Sequence, residues 1–328
     1  MKAEVEILIG EERFGWGDGR LVGGKVRRAH GKQASSAQLT FSDPRGVLRD
    51  ALPLPFAQEA VAVWAGFGAP ELLFTGRVAR LGWASDGRLD VQAVDRSVRL
   101  RRVQRARNLA NMTLTRLADQ LAREEGLVLE ASGADADATL TRFASILQHG
   151  ETDWEVLERV AGWCGHTVEV VGEQLVLRSL GSTSSVAALR LRAGDGQLVS
   201  VQFEVSRPLP STTGKIKSRA GEVVGEDRGE AQARAVLAAA TGLAEDEDDL
   251  EDDKPLDLAR VARARKWRRL EAQARLARVP PGLRLGQGVE IEGFGARFSG
   301  VWIVDGYEVD LATLGCELTL YNSGVEAT

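Results

Sequence analysis

A chain of 328 residues can hold two or more hydrophobic cores, and its net charge of −5 argues against a coat for nucleic acid or anionic membrane. Its 44% apolar and 27% charged residues are ordinary for a globular protein, and 36 glycines point to many turns rather than a helical bundle. The only histidines are His30, His149 and His166 and the only cysteines Cys164 and Cys316, too few for a disulfide framework and without zinc spacing, so neither metal nor cofactor is expected.

No stretch reaches the roughly 18 apolar residues of a membrane-spanning helix. Met1-Lys2-Ala3-Glu4-Val5-Glu6 lacks the basic-then-apolar order of a secretory signal. The expectation is a protein that is cytoplasmic when made, with no membrane insertion of its own.

Residues 1–104 read as strands. Val5, Ile7 and Ile9 alternate with polar neighbours, as do Leu39 and Phe41, and Leu89, Val91 and Ala93. Turn signals recur at Gly17-Asp18-Gly19, Gly23-Gly24, Asp43-Pro44 and Asp86-Gly87, a density that suggests an antiparallel barrel or sandwich. Residues 105–180 change character. Leu114, Leu117, Ala118 and Leu121 fall at helical spacing before Gly126. Thr152-Asp153-Trp154-Glu155 is a capping box, in which the Thr hydroxyl and the Glu carboxylate each satisfy a free backbone N–H, so it announces a second helix. Val168 and Val170, then Gly172-Glu173, then Leu175 and Leu177 read as a hairpin. This is a small α/β domain.

Strand character returns at 186–206, where Val199, Val201, Phe203 and Val205 alternate until Pro208 and Pro210. Residues 207–282 differ in composition and read as an inserted module. It has a polar strand-like stretch, an Ala-rich helix at 229–241, the acidic run Glu245–Asp253 and an Arg-rich helix at 256–278. From 283 to 328 the strand pattern resumes.

A diverged internal repeat organises these segments. Val61-Ala62-Val63-Trp64-Ala65-Gly66-Phe67-Gly68 is soon followed by Phe74-Thr75-Gly76, and Val289-Glu290-Ile291-Glu292-Gly293-Phe294-Gly295 by Phe298-Ser299-Gly300. Each copy continues into an apolar strand, a Gly-containing turn and an alternating strand. The separation far exceeds solenoid periods, so the reading is a domain duplication. Chance likeness of two Val-, Gly- and Phe-rich hairpins is the competing explanation. The fold class expected is mainly β with α/β insertions: two duplicated tube-like antiparallel β-barrels, the first over 1–104 and the second over 186–206 and 283–328. Phe74 should match Phe298, and Gly76 should match Gly300. The two barrels should lie at similar radius about a three-fold axis, with edge strands pairing between neighbours so that the ring has no open edge. One continuous sheet through both would sink the pseudo-six-fold argument.

At this point the chain resembles the tail hub proteins of contractile phages, the late control D and VgrG-type group. The resemblance lies in segment order over nearly the whole chain. Its best local pieces are Phe143-Ala144-Ser145-Ile146-Leu147-Gln148-His149-Gly150-Glu151-Thr152-Asp153-Trp154-Glu155-Val156-Leu157 and Phe298-Ser299-Gly300-Val301-Trp302-Ile303-Val304. It implies a homotrimeric baseplate hub that adapts a six-fold tail tube to a three-fold spike, a reading that one continuous sheet through both barrels would leave on family resemblance alone. The partners implied are the tail tube protein, a spike protein, other baseplate subunits and the tape measure protein. Since VgrG-type chains continue into a needle and this one ends at Thr328, the spike is expected on a separate polypeptide. The particle would be a phage tail, a tailocin or an extracellular injection system.

Candidate chemistry is sparse. Cys164 and His166 flank Gly165 at a helix exit with no orienting acid signalled, so a structural Cys and a partly exposed His are expected rather than a nucleophile and base. Arg99, Arg101, Arg102, Arg105 and Arg107 could neutralise phosphates, but no aromatic is interleaved for base stacking. A subunit contact or solvated linker is favoured, with no specific nucleic acid. The acidic run lacks the spaced ligands and glycine of a helix-loop-helix calcium site. Gly15-Trp16-Gly17-Asp18-Gly19 lacks the Lys-Ser/Thr of a phosphate loop. No enzyme is expected. The alternative is a tail-associated cell-wall hydrolase, a glycosidase or amidase, for which the sequence selects no carboxylate pair.

Overall fold

The computed structural model describes residues 3–29, 33–47, 59–130, 142–164, 166–179, 189–205, 214–217, 223–227, 270–295 and 298–322. The Ala-rich stretch 229–241, the acidic run 245–253 and residues 256–269 lie outside them. The architecture is mainly β, with large antiparallel sheets and few helices.

The first half contributes β1 (Ala3–Ile9), β2 (Glu12–Gly15), β3 (Leu21–Ala29), β4 (Ser36–Ser42), β5 (Ala60–Phe67), β6 (Glu71–Trp83) and β7 (Arg88–Val94). Alternation decides which face each strand buries. Val5, Ile7 and Ile9 are buried on β1, Ala37, Leu39 and Phe41 on β4, and Leu89, Val91 and Ala93 on β7. Residues 16–20 form the connection between β2 and β3, through a single 3-10 turn at Trp16–Asp18.

The middle of the chain builds β8 (Gln104–Thr113), α1 (Leu114–Glu124), β9 (Val128–Glu130), β10 (Arg142–Thr152), α2 (Asp153–Trp163), β11 (His166–Val171) and β12 (Gln174–Ser179). Thr113 caps α1, and the Thr152–Glu155 capping box starts α2 with both reciprocal bonds made. β8 pairs with β10, while β11, β12 and β9 make a second small sheet. Leu117, Leu121, Leu157, Val160, Phe143 and Leu175 lie in a core of its own.

The last stretch supplies β13 (Arg190–Arg192), β14 (Leu198–Val205), the hairpin strands β15 (Gly214–Lys217) and β16 (Val223–Asp227), then β17 (Leu270–Leu276), β18 (Gly288–Glu292), β19 (Gly300–Asp310) and β20 (Cys316–Asn322). β17 corrects the expectation of a helix running to residue 278. Ala272, Ala274 and Leu276 are buried and alternate with exposed Gln273 and Arg275, so the segment has period two. Its Ala, Arg and Leu content favours helix, but two strand partners outweigh that local preference. Residues 270–276 thus pair with the second β region rather than belonging to the insert.

The two β regions repeat each other strand by strand. β3-β4-β7-β6-β5 in the first corresponds to β14-β17-β20-β19-β18 in the second. Ala60, Arg77 and Val94 form one cross-strand row, and Gly288, Ile303 and Tyr321 form its counterpart. From those rows the pairs Ala37–Ala93, Leu39–Val91 and Phe41–Leu89 map onto Ala272–Leu320, Ala274–Leu318 and Leu276–Cys316. Register shifts also recur in place: between Val78 and Arg80 as between Val304 and Gly306, and between Leu21 and Gly23 as between Leu198 and Ser200. An extra residue inserted at two matching points is hard to reconcile with chance likeness of hairpins. The copies differ at the rim, where β1 runs antiparallel to β5 but β13 runs parallel to β18.

The two β regions join edge to edge. β3 pairs with β19, so a single 13-stranded sheet runs through both regions, and their buried side chains form one contiguous core. The physical cause is the edge of β3, whose N–H and C=O groups need partners and find them on β19. One continuous sheet sinks the pseudo-six-fold argument as the sequence posed it. A repeat that is joined edge to edge replaces it.

Candidate assembly interfaces

The joint is the most informative contact surface. Ala29 stands opposite Gly306, Arg28 opposite Tyr307, Arg27 opposite Glu308, Val26 opposite Val309 and Lys25 opposite Asp310. Val26 and Val309 are fully buried on its inner face. On its outer face Lys25 Nζ reaches Glu308 Oε1 at 2.7 Å, a diagonal ion pair that raises the lysine pKa. Leu311 N donates to Gly24 O at 2.9 Å and extends the ladder by one bond. Gly24 has no room for a side chain, since a Cβ there would meet Gln38 O at 2.7 Å and Leu311 Cδ1 at 3.1 Å.

The four repeat positions lie in unlike surroundings. Phe74 is fully buried within β6 opposite Val63, whereas Phe298 lies in a turn before β19 and stacks on Phe203 at 4.6 Å. Gly76 sits opposite Val61, and a Cβ there would collide with Val94 O. Gly300 sits opposite Ile291 at φ +133, with open space where a Cβ would go. The register rows therefore set Phe74 beside Gly300 and Gly76 beside Trp302, not the motif partners suggested by the sequence. Sequence spacing could not show this, because the two hairpins reach β6 and β19 through turns of different length.

The α/β domain docks on the first β region through polar contacts. Arg28 Nη2 reaches Glu169 Oε2 at 2.9 Å and Arg28 Nη1 donates to Leu73 O at 3.2 Å. Glu169 also accepts from Arg178 Nε at 2.8 Å. Gly172 N donates to Thr75 Oγ1 at 2.6 Å, and Arg96 Nη2 reaches Glu173 Oε1 at 2.6 Å. Sequence reasoning missed this set. The usable signal was Arg28 itself, a cation on the same face of β3 as buried Val26.

Within the basic cluster, Arg105 and Arg107 turn toward the α/β domain instead of standing in a solvated linker. Arg105 and Arg107 both bridge Glu124 and the buried Asp153, with Arg107 Nη2 2.8 Å from Asp153 Oδ1. Arg101 lies over the Trp154 ring at 4.0 Å, and Arg99 Nη1 donates to Glu125 O at 3.1 Å. Arg105 and Arg107 are thus paired inside the α/β domain, while Arg99 and Arg102 remain exposed.

His166 is buried, not partly exposed as expected, and its Nδ1 lies 2.6 Å from the Cys164 carbonyl oxygen, at donor distance. The contact is with the backbone, not the thiol. Burial pushes Cys164 and Cys316 up to about 12, so neither is a thiolate nucleophile near neutrality. Among the described residues no group of three or more His, Cys, Asp or Glu side chains is placed to hold a metal, and no helix is long and apolar enough to cross a membrane.

No protein-family model matches the chain, and no curated protein matches it in sequence. Solved structures do match. A tail protein from Neisseria meningitidis aligns at 15% identity and TM-score 0.66, covering 99% of this chain and 98% of that one. The 43 kDa tail protein of prophage MuSo2 from Shewanella oneidensis aligns at 14% identity and TM-score 0.64, covering 98% and 97%. A type VI secretion component of E. coli, described as similar in structure to T4 bacteriophage tail proteins, aligns at 12% identity and TM-score 0.55, covering 98% and 76%. The chain shares the fold of these tail and secretion-system proteins over nearly its whole length.

Proposed function

We propose that the chain is a structural hub subunit of a contractile tail or injection particle. It assembles as a homotrimer and adapts a six-fold tail tube to a three-fold spike. The observation that carries this reading is the fold shared with tail proteins over 98–99% of the chain. Its partners are the tail tube protein, the spike, other baseplate subunits and the tape measure protein, and its working location is the particle rather than the free cytoplasm. The buried thiols supply no nucleophile near neutrality, and among the described residues nothing favours the cell-wall hydrolase.

Light scattering on the purified protein tests the reading. A mass of three chains is expected, or a mass that becomes three chains when the spike is added. A stable dimer across a wide concentration range overturns it.

A further inference from the structure

The face that the α/β domain turns toward the first β region is not built like an interior. In the β11–β12 hairpin Val168 stands opposite Leu177 and Val170 opposite Leu175, and all four belong to the domain's own core. The other face carries Thr167 opposite Arg178 and Glu169 opposite Val176. Apolar residues on one face and polar ones on the other are the pattern of a sheet with one side in water. Yet Thr167, Glu169 and Val176 are all buried, because β11 lies against β6 and the 3-10 turn Arg96–Val98.

The bonds across this seam are polar: Arg28 to Glu169, Thr75 to Gly172 and Arg96 to Glu173. Arg28 Nε and Thr167 Oγ1, one on each side, are buried with no hydrogen-bond partner among the described residues. Such groups cost free energy while the seam is shut and are satisfied by water when it opens. Closure therefore replaces hydration only in part. Each side, meanwhile, keeps its own hydrophobic core whether the seam is open or shut.

We infer that the α/β domain is a latched cap that swings off the first β region as a folded unit, exposing Arg28, Thr167 and Glu169 to solvent. This goes beyond the hub reading and does not depend on it. The chain supplies a pivot. Asp95 is tied to the β region, where its N–H donates to Ser35 O and its carboxylate accepts from Ser35 N, both at 3.0 Å. Leu100 lies in the α/β core, and its carbonyl accepts from Trp154 N at 3.1 Å. Arg96 to Arg99 separate these anchors, so rotation there moves the domain without breaking either one. The return connection, residues 180–188, lies outside the described residues. Local opening of this kind needs less free energy than unfolding, because neither core is exposed.

Thiol labelling of the full chain tests the latch. Thr167→Cys sets a thiol on the seam face without removing a hydrogen bond, while Cys164 and Cys316 report on the α/β core and the β core. In native buffer the introduced thiol should react at least about ten-fold faster than either native cysteine. Adding Glu169→Gln should speed it further, at least several-fold, and leave Cys164 unchanged. An introduced thiol no faster than Cys164 overturns the inference, because the seam then opens only when the domain unfolds. Hydrogen exchange on the unsubstituted chain gives a second measurement. The Gly172 N–H, which donates to Thr75 Oγ1, should be at least about ten-fold less protected than the amides of the β11–β12 ladder. Equal protection overturns the latch. A trimer that fails both measurements leaves the hub reading standing, whereas a stable dimer that passes both overturns the hub reading and keeps the latch.

Discussion

Arg28 and Glu169 lie 141 residues apart in sequence and meet at 2.9 Å, with side chains only 9% and 7% exposed. One belongs to a strand of the joined sheet and the other to the α/β domain, so their ion pair fixes how the two parts sit. Burying both charges is costly, and the pair persists because Glu169 also accepts from Arg178 and Arg28 donates to the Leu73 carbonyl.

Removing one partner should therefore be worse than removing both. Glu169→Ala strands a buried guanidinium whose Nε already lacks a hydrogen-bond partner in the structure, and is expected to cost about 3–5 kcal/mol in urea unfolding. Arg28→Met combined with Glu169→Leu should recover most of that loss. A cost below about 1 kcal/mol for the single change would show that the pair does not lock the domains.

Gly76 and Gly300 should respond to alanine for different reasons. At Gly76 the new methyl group runs into the Val94 carbonyl oxygen, so the sheet must shift, at about 1–3 kcal/mol. At Gly300 the methyl group has space, but φ +133 is a conformation L-residues avoid, at about 1–3 kcal/mol. Thermal unfolding of both variants, with Gly17→Ala as a reference in open space, separates these from a generic glycine effect. Equal stability of Gly76→Ala and the reference would refute the close approach of β6 and β7.

Acid should loosen the α/β domain first. Burial raises the Glu124 pKa somewhat, but hydrogen bonds from Gln120 and Arg107 and the charges of Arg107 and Arg105 outweigh it, so the carboxyl is held below the usual carboxylate range. A depressed folded-state pKa contributes stability that is complete above the unfolded value of 4.5 and is lost as pH falls through the lower, folded value. Urea midpoints measured from pH 6 downward should fall more steeply for the native chain than for Glu124→Gln, which cannot titrate. Parallel curves would rule out this carboxylate as a source of acid sensitivity.

What the sequence showed depended on whether a signal was local. The alternation of β1, β4 and β7 was readable because each strand buries one face. Helix α2 was readable because Thr152 and Glu155 satisfy each other's backbone within four residues. The duplication was readable as a repeated order of segments, but its residue matching was not, because the bulges and turns that set register leave no mark in residue spacing. β17 was read as helix because its residues favour helix intrinsically and its two strand partners lie far away in sequence. The β3–β19 joint was invisible for the same reason, as an edge has no sequence pattern of its own. Only Arg28, a cation where a Val would be expected, hinted that something charged lay beyond that strand.

The β3–β19 contact also sets a timetable. Lys25 and Glu308 are 283 residues apart, which at synthesis rates of about 5–20 residues per second is roughly fifteen seconds to a minute. Throughout that interval the edge of β3 has no β19 to cover it, and an uncovered edge is a template for pairing with other nascent chains. The native contact comes from the end of the chain, so truncated or stalled products should be the aggregating species. The protein's yield in a cell would then depend less on its final stability than on how soon its last strands are made.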